Sequence, residues 1–302
     1  MRFGALLLAL TTAASGFACR AADRVSPAAA IETRFRVVPN AVYRTVGDWR
    51  GRLDLYVGQN ASEPRPTVML VHGGGWRRGT KEAAALAVFS YLDIGLNVVN
   101  VEYRLGAPAP AAVDDCACAL QWIWDHAGEY GIDRHRLVIA GDSAGAQIAM
   151  TVAMSSAPER FGGECPGAGT PAVAAIVNWY GPSDMTDLLD GPHRLQDAVD
   201  WIGQTADHAA LVRRLSPISY VRPGVPPVLT IHGDRDESVP YAQSVALHKS
   251  LTAAHVPNQL LTVAGGIHGP LCCDAAVRGH AYETIRSFLI EQRVLDRRPA
   301  SP

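Results

Sequence analysis

The chain has 302 residues, of which 48% are hydrophobic and 19% charged, and its formal net charge is −2 at pH 7. This composition predicts a globular chain with enough apolar residues for a large core, and it excludes intrinsic disorder, collagen-like sequence and coiled coils. The balanced charge offers no basic surface that could neutralise phosphates, so nucleic acid is not an expected partner.

The first 22 residues have the features of an export leader. Arg2 supplies a positive start, and residues 5–14 form an apolar stretch that is too short to span a bilayer. Gly16 and Ala18, the third and first residues before Cys19, are small, which favours cleavage of the leader before Cys19. We interpret residues 1–22 as a signal peptide, with a lipoprotein leader that ends before Cys19 as the open alternative. The protein is expected to be exported, periplasmic or secreted, with no transmembrane segment in the mature chain.

Strand and helix patterns then alternate, which indicates one domain over residues 25–296 before a polar tail at 297–302. Two runs at residues 33–38 and 53–57 predict an antiparallel pair. Six further strands are predicted at residues 67–71, 97–101, 137–140, 175–179, 228–231 and 259–263. Helical patterns lie near residues 80–92, 111–127, 144–156, 241–255 and 275–293.

The six later strands are apolar on both faces, which is typical of parallel strands that are covered by helices on both sides. The sequence therefore predicts an α/β fold with a mostly parallel central sheet flanked by helices. Residues 182–222 break the alternation with polar helical pieces. We interpret this stretch as a small helical insertion that could cover a site at the edge of the sheet.

Five cysteines follow the leader: Cys116, Cys118, Cys165, Cys272 and Cys273. Export permits disulfides, and because five is odd, at least one cysteine stays free or pairs outside the chain. Cys116 lies on the apolar face of its predicted helix, whereas Cys118 is rotated by about 200°, so a shared metal site is not expected. Cys272 or Cys273 could fasten the loop before them through a disulfide whose partner the sequence does not identify.

The strongest motif is GDSAG at residues 141–145, between a predicted strand and a predicted helix. A serine on such a tight turn needs glycine on each side, and its hydroxyl is exposed above the sheet at the start of the helix. Ser143 is therefore the candidate nucleophile. Asp142 is interpreted as structural, because its side chain is expected to point away from the serine.

A serine hydroxyl is a weak nucleophile unless a base removes its proton and an acid orients that base. The sequence HGDRD follows a predicted strand and ends at Asp236, which we favour over Asp234 because two more loop residues extend its reach. The sequence GGIHG follows the next strand and presents His268 as the base. The order Ser143, Asp236, His268 is the one that a strand–turn–helix nucleophile motif predicts.

An oxyanion site is predicted from the sequence HGGGW at residues 72–76, which follows another strand. Glycines let backbone N–H groups face a substrate without a side chain in the way. We assign this oxyanion hole to the N–H groups of Gly74, Gly75 and Ala144.

Other polar residues have plainer interpretations. His72 and His232 are expected to brace loops by hydrogen bonds, and the remaining histidines lack the spacing of metal ligands. No phosphate-binding loop, dinucleotide motif or zinc pattern is present, so neither a cofactor nor a metal is expected.

With these motifs in this order, the chain resembles the α/β-hydrolase superfamily, and within it the HGGGW esterases related to hormone-sensitive lipase and to feruloyl and acetyl-xylan esterases. The resemblance covers about residues 30–293 and includes EYRL at 102–105, PAAVDD at 110–115 and LSPISY at 215–220. It implies the α/β-hydrolase fold and places the nucleophile, acid and base on the same three residues. The short segment before the sheet favours the polysaccharide-esterase-like branch with an open cleft, while the CC pair at residues 272–273 is not typical of the family.

The resulting hypothesis is a secreted serine carboxylic-ester hydrolase that acts through an acyl-enzyme on short-chain acyl esters. The resemblance suggests acetyl or feruloyl esters of polysaccharide as substrates. Two alternatives stay open: an amide hydrolase of formamidase or peptidase type on the same triad, and an envelope protein that keeps the scaffold only to bind a ligand. The oligomeric state and the preference for an acyl or alcohol group are left open by the sequence.

Overall fold

The computed structural model describes residues 34–59, 63–155, 165, 167, 169–269 and 275–297. The proposed leader with Cys19, the pair Cys272 and Cys273, and the end of the tail lie outside the described residues. The domain limits expected from the sequence therefore stay predictions.

The described strands form one eight-stranded sheet in the order β1-β2-β4-β3-β5-β6-β7-β8. The strands are β1 (Phe35–Val46), β2 (Trp49–Gly58), β3 (Arg65–Val71), β4 (Asn97–Val101), β5 (Ile132–Asp142), β6 (Ala175–Trp179), β7 (Val228–Gly233) and β8 (Asn258–Val263). Strand β2 is antiparallel to both of its neighbours, and every pairing from β4 to β8 is parallel. The predicted mostly parallel sheet is confirmed.

Seven α-helices are present in the described residues: α1 (Ala85–Asp93), α2 (Ala111–Asp125), α3 (Ala144–Met154), α4 (Gln196–Ile202), α5 (His208–Arg214), α6 (Tyr241–Ala253) and α7 (Ala275–Glu291). The apolar core has two parts, one on each face of the sheet. One contains side chains of α2, α3 and α6, and the other contains side chains of α1 and α7. Helices thus cover both faces, as predicted. None of the helices in the described ranges combines the length and apolar character that a bilayer crossing requires.

The antiparallel pair at the start of the sheet is longer than the sequence predicts. The run at residues 33–38 was expected to end before Pro39 and Asn40, but β1 continues through a bulge at these two residues. Asn40 has a φ of 56°, and its N–H donates to the carboxylate of Asp54 on β2 at 2.7 Å. A bulge accommodates residues that would interrupt a regular strand. The contact that stabilises it comes from the neighbouring strand and is not visible in the local sequence.

The predicted insertion is confirmed between β6 and β7, where α4, α5 and three short 3₁₀ turns lie. The ring of Trp201 on α4 stacks on that of Trp76, with centroids 4.6 Å apart and an angle of 4° between the planes. Because Trp76 ends the HGGGW sequence, the insertion packs directly on the glycine-rich loop.

The two cysteines of α2 differ in whether they form a disulfide. Cys118 forms a disulfide with Cys165, whereas Cys116 is buried and has a free thiol. The expectation that Cys116 and Cys118 face apart agrees with this arrangement. The pairing itself could not be derived from sequence spacing.

Candidate active site

Ser143 lies in the turn between β5 and α3, where the parallel strands have their carboxyl ends. Its φ of 50° and ψ of −123° are conformations that residues other than glycine rarely adopt, so the backbone is strained. The N–H of Ser143 donates to the carbonyl oxygen of Trp179 at 2.9 Å, which holds the turn against β6. A strained, hydrogen-bonded turn of this kind is how a strand–turn–helix motif exposes its serine.

Gly145 is required by the close approach of α3 to the end of β3. A Cβ atom at this position would lie 2.3 Å from the carbonyl oxygen of Val71 and 2.4 Å from that of His72. The start of α3 is therefore packed directly against the glycine-rich loop. The N–H of Ala144 belongs to the first turn of α3, where backbone donors have no partner within the helix.

His268 connects Ser143 to Asp236. Its Nε2 lies 2.8 Å from the Oγ of Ser143, and its Nδ1 lies 2.6 Å from the Oδ2 of Asp236. A carboxylate only accepts hydrogen bonds, so Nδ1 carries the hydrogen and Nε2 is left to accept the serine hydroxyl. The side chain of Asp236 is fully buried and that of His268 is 25% exposed. The hydrogen-bonded chain thus leads from the interior to the surface.

The loops that carry Asp236 and His268 are fastened to each other. The N–H of Arg235 donates to the carbonyl oxygen of Gly266 at 2.9 Å. The carboxylate of Asp234 accepts the N–H of Gly265 at 2.6 Å. Asp234 therefore holds the loop of His268 in place, while Asp236 faces the imidazole.

Four donors surround the carboxylate of Asp236. Its Oδ1 accepts the N–H groups of Ser238 and Val239, each at 2.8 Å. Its Oδ2 is 2.6 Å from the Nδ1 of His268 and 3.1 Å from the Nε2 of His232. Burial alone would raise the pKa of Asp236, but the hydrogen bonds from His232, His268 and Val239 outweigh it and hold the pKa well below its usual range. Asp236 is therefore ionised at neutral pH.

The glycine-rich loop at residues 72–76 offers unused backbone donors. Gly74 has a φ of 125°, and a Cβ there would lie 2.0 Å from the carbonyl oxygen of Arg78, so only glycine fits. The carbonyl oxygen of Gly74 accepts the N–H groups of Arg77 and Arg78 at 3.2 and 3.1 Å. Within the described residues, no hydrogen bond uses the N–H of Gly74 or Gly75. Both groups are available to a ligand.

Two side chains hold this loop from either side. The Oδ1 of Asp142 accepts the N–H of Gly73 at 2.9 Å, so its carboxylate faces the loop. Burial raises the pKa of Asp142, and the N–H of Gly73 opposes that rise. The hydroxyl of Tyr103 donates to the carbonyl oxygen of His72 at 2.9 Å, and the two rings stack. These contacts agree with the structural role predicted for Asp142 and the bracing role predicted for His72.

Gln147 joins three parts of the site through a fully buried amide. Its Oε1 accepts the indole N–H of Trp76 at 2.9 Å, and its Nε2 donates to the carbonyl oxygen of Leu215 at 2.7 Å. Gln147 lies on α3, one turn after Ser143, while Leu215 belongs to the insertion. Helix α3, the glycine-rich loop and the insertion are therefore connected by one side chain.

Three residues at the site were missed or undervalued by sequence reasoning. His232 was expected only to brace a loop, yet it contacts the carboxylate of Asp236 directly. Tyr180 packs edge-on against the ring of His268, with centroids 5.0 Å apart. Gln147 had one available indication, its spacing of four residues from Ser143, which puts both on one side of a helix. No local sequence pattern indicates the role of Tyr180, because its contact with His268 joins distant parts of the chain.

Within the described residues, no cluster of three or more His, Cys, Asp or Glu side chains is arranged to hold a metal ion.

Comparison with known proteins identifies the family. The sequence profile of the BD-FAE family matches residues 53–251. Carboxylesterase NlhH of Mycobacterium tuberculosis is 31% identical over 254 residues, covering 76% of this chain and 74% of NlhH. Esterase LipQ of the same organism is 28% identical over 257 residues, covering 82% of this chain and 57% of LipQ. The chain thus spans little more than half the length of LipQ.

Solved structures show the same fold. A truncated form of a carbohydrate esterase from gut microbiota superposes with a TM-score of 0.74 and 24% identity, over 87% of this chain and 98% of that chain. The thermophilic esterase Est2 of Thermogutta terrifontis gives a TM-score of 0.73 and 21% identity, over 86% of this chain and 94% of that chain. The architecture of this chain is the α/β-hydrolase fold that these solved structures share, and NlhH and LipQ are themselves named as esterases. By the match of the family profile over residues 53–251, the chain belongs to the BD-FAE family.

Proposed function

We propose that this protein is an exported serine carboxylic-ester hydrolase in which Ser143, His268 and Asp236 are the catalytic residues. The observation that carries the proposal is the unbroken chain of hydrogen bonds from the serine hydroxyl through the imidazole to a buried carboxylate. This arrangement has the geometry that activates a serine for acyl transfer.

The mechanism follows from the hydrogen positions. His268 Nε2 takes the proton of Ser143 as Oγ attacks the ester carbonyl, and Asp236 stabilises the imidazolium that forms. The imidazolium then gives this proton to the leaving alcohol, and an acyl-enzyme remains. Water attacks the acyl-enzyme with His268 again as base, which releases the carboxylic acid and restores the serine.

The negative oxygen of each tetrahedral intermediate needs fixed donors, and one such donor is worth about 3–4 kcal/mol. We assign this role to the N–H groups of Gly74, Gly75 and Ala144. The support is that the two glycine N–H groups are unused and that the first turn of α3 packs against their loop. The positive end of the helix dipole adds to the stabilisation of the negative oxygen.

The expected substrates are esters of short acyl groups, and acetyl or feruloyl esters of polysaccharide are the proposed class. Support comes from proteins of the same fold: one is described as a carbohydrate esterase, and Est2 has been solved with propionate and with butyrate bound. In this chain the insertion is fastened over the glycine-rich loop by ion pairs of Arg77 with Asp200 and of Arg78 with Asp197. The carboxylate of Asp197 also lies so near Gly75 that a Cβ there would be 2.5 Å from it, and this limited space beside the proposed oxyanion donors favours a short acyl group.

Export to an oxidising compartment is supported by the disulfide between Cys118 and Cys165. Structural disulfides persist outside the cytosol, where no thiol pool reduces them. Mass spectrometry of the mature N-terminus would show whether cleavage frees an unmodified residue or a lipidated Cys19.

The proposal is tested with p-nitrophenyl acetate and with the organophosphate paraoxon, which phosphorylates Est2. Wild type should release p-nitrophenolate from the ester, and Ser143→Ala should not. Paraoxon should add a diethylphosphoryl group to Ser143 Oγ with loss of one p-nitrophenolate, as peptide mass spectrometry would show. A wild-type protein that neither turns over the ester nor is labelled would refute the proposal and leave the ligand-binding alternative. Acetylated xylan, methyl ferulate and N-formylkynurenine then separate polysaccharide esterase from amide hydrolase activity.

A further inference from the structure

A second imidazole lies on the far side of the proposed catalytic acid. His232 is the fifth residue of β7, and its side chain is fully buried. Its Nε2 is 3.1 Å from Asp236 Oδ2 and 3.0 Å from the carbonyl oxygen of Val239, and its Nδ1 is 2.6 Å from the hydroxyl of Ser244 on α6. Both ring nitrogens are therefore engaged, and neither faces solvent.

The contacts of His232 determine where its hydrogen lies. A carboxylate and a carbonyl oxygen can only accept, so the Nε2 that faces both must carry a hydrogen. The hydroxyl of Ser244 can donate to Nδ1, which satisfies the ring without any further partner. The two acceptors at Nε2 therefore determine the form of His232 that donates to Asp236, and the hydroxyl of Ser244 is compatible with that form.

The result is that Oδ2 of Asp236 lies between two imidazole donors. His268 Nδ1–H donates from the side of the serine, and His232 Nε2–H donates from the interior. Together with the N–H groups of Ser238 and Val239 on Oδ1, every acceptor position of the carboxylate has a donor. A carboxylate bonded in this way has no freedom to rotate about its terminal torsion.

We propose that His232 is a positioning residue for ester hydrolysis, which fixes the carboxylate of Asp236 so that Oδ2 points at His268. The inference depends on the proposed function, because it assigns His232 a part in that same reaction. It acts only through Asp236 and has no contact with substrate. The lowered pKa of Asp236, to which the His232 hydrogen bond contributes, agrees with the geometry.

Two tyrosine rings and one further carboxylate interact with the two imidazoles. The ring of Tyr241 meets His232 edge-on at 5.6 Å, and the ring of Tyr180 meets His268 edge-on at 5.0 Å. The carboxylate of Asp142 acts on His268 from the nucleophile turn, but it is bonded to the glycine-rich loop. A change at His232 is therefore transmitted through Asp236.

The test compares His232→Leu, which removes the donor, with His232→Gln, whose amide N–H can take the place of Nε2–H. The matched control is His248→Leu. His248 is also buried, but its nitrogens bond to Thr230 and Asn258 and do not contact Asp236. Each variant is first checked for folding by circular dichroism, and kcat and KM for p-nitrophenyl acetate are then measured across pH.

We expect His232→Leu to lower kcat about tenfold to a hundredfold, the effect of losing a buried hydrogen bond to a charged group, with KM nearly unchanged. The acid limb of its kcat/KM profile should move to higher pH, because a carboxylate with fewer donors attracts the imidazolium more strongly. His232→Gln should recover most of the loss in kcat, and His248→Leu should leave the profile in place. If the leucine variant does not fold, Ser244→Ala serves instead, and a smaller loss of kcat with the same direction of the pH shift is expected.

An unchanged kcat and pH profile in folded His232→Leu, with an active wild type, would overturn the positioning role and leave the proposed function intact. Equal losses in His232→Leu and His232→Gln, or an equal loss in His248→Leu, would show that only packing matters and would also overturn it. An inactive wild type would instead refute the proposed function itself.

Discussion

Asp236→Asn is the substitution that tests the site most sharply, because it keeps the shape of the side chain and changes one acceptor into a donor. All four contacts of the carboxylate come from N–H donors. If the new NH₂ takes the place of Oδ1, it faces the N–H groups of Ser238 and Val239. If it takes the place of Oδ2, it faces His232 and His268 instead.

Only in the second orientation can a contact between two donors be removed, by moving a hydrogen on His268. That move leaves His268 unable to act as the base. His268 can accept from the amide at Nδ1 if its hydrogen moves to Nε2, but Nε2 then cannot take the proton of Ser143. A wrong tautomer of this kind costs a serine hydrolase about 10⁴ in kcat, or about 5.5 kcal/mol of transition-state stabilisation. The unrelieved contacts of one donor with another should also lower the free energy of unfolding by about 1–3 kcal/mol.

The assay is steady-state hydrolysis of p-nitrophenyl acetate, with urea unfolding of the same samples. The control is Asp234→Asn, because Asp234 lies two residues away and its hydrogen bond from the N–H of Gly265 survives in an amide. Asp234→Asn should keep nearly full activity. A folded Asp236→Asn enzyme within about tenfold of wild type would refute the tautomer argument and the assignment of Asp236 as the acid.

Three further predictions concern stability. Gln147→Leu leaves the indole N–H of Trp76 and the carbonyl oxygen of Leu215 without their partner, so the free energy of unfolding in urea should fall by about 2–6 kcal/mol. An unchanged unfolding midpoint would contradict the role of this amide. Cys118→Ser opens a disulfide that joins residues 47 positions apart, which should lower the free energy of unfolding by about 4 kcal/mol in the chain-entropy account, and equal melting temperatures with and without reductant would contradict it. The pKa of Asp236 is lower in the folded than in the unfolded chain, so its contribution to stability is present above about pH 4 and is lost as pH falls further. Calorimetry should show this acid-side loss in wild type and a smaller one in Asp236→Asn.

Much of the fold could be predicted because buried parallel strands appear in the sequence as short, nearly continuous apolar runs. The predicted strands at residues 97–101 and 175–179 have the bounds found in the structure. All of their residues except Trp179 are buried, and each of the three asparagines in them makes a hydrogen bond to a residue outside its own strand. The positions of the proposed catalytic residues could be predicted for a related reason: each follows the carboxyl end of a parallel strand, and these ends meet at one edge of the sheet.

What could not be predicted depends on contacts between distant residues. The disulfide partner of Cys118 and the bulge at Asn40 are each determined by a group from another part of the chain. His232 was predicted to brace a loop, but its contact with Asp236 was not predicted, since the orientation of its ring depends on Ser244 in the following helix. Local patterns indicate where a side chain emerges, whereas its hydrogen-bond partners are decided by packing.

The close backbone packing beneath the site has a consequence for engineering. A side chain at Gly145 or Gly74 would collide with a backbone carbonyl, at 2.3 and 2.0 Å respectively, and backbone atoms cannot turn aside. At Gly75 the nearest obstacle is instead the carboxylate of Asp197, 2.5 Å away, which belongs to the insertion and can change rotamer or be replaced. Libraries that seek new acyl preferences should therefore vary α4 and its neighbours, and leave the glycine-rich loop and the start of α3 untouched.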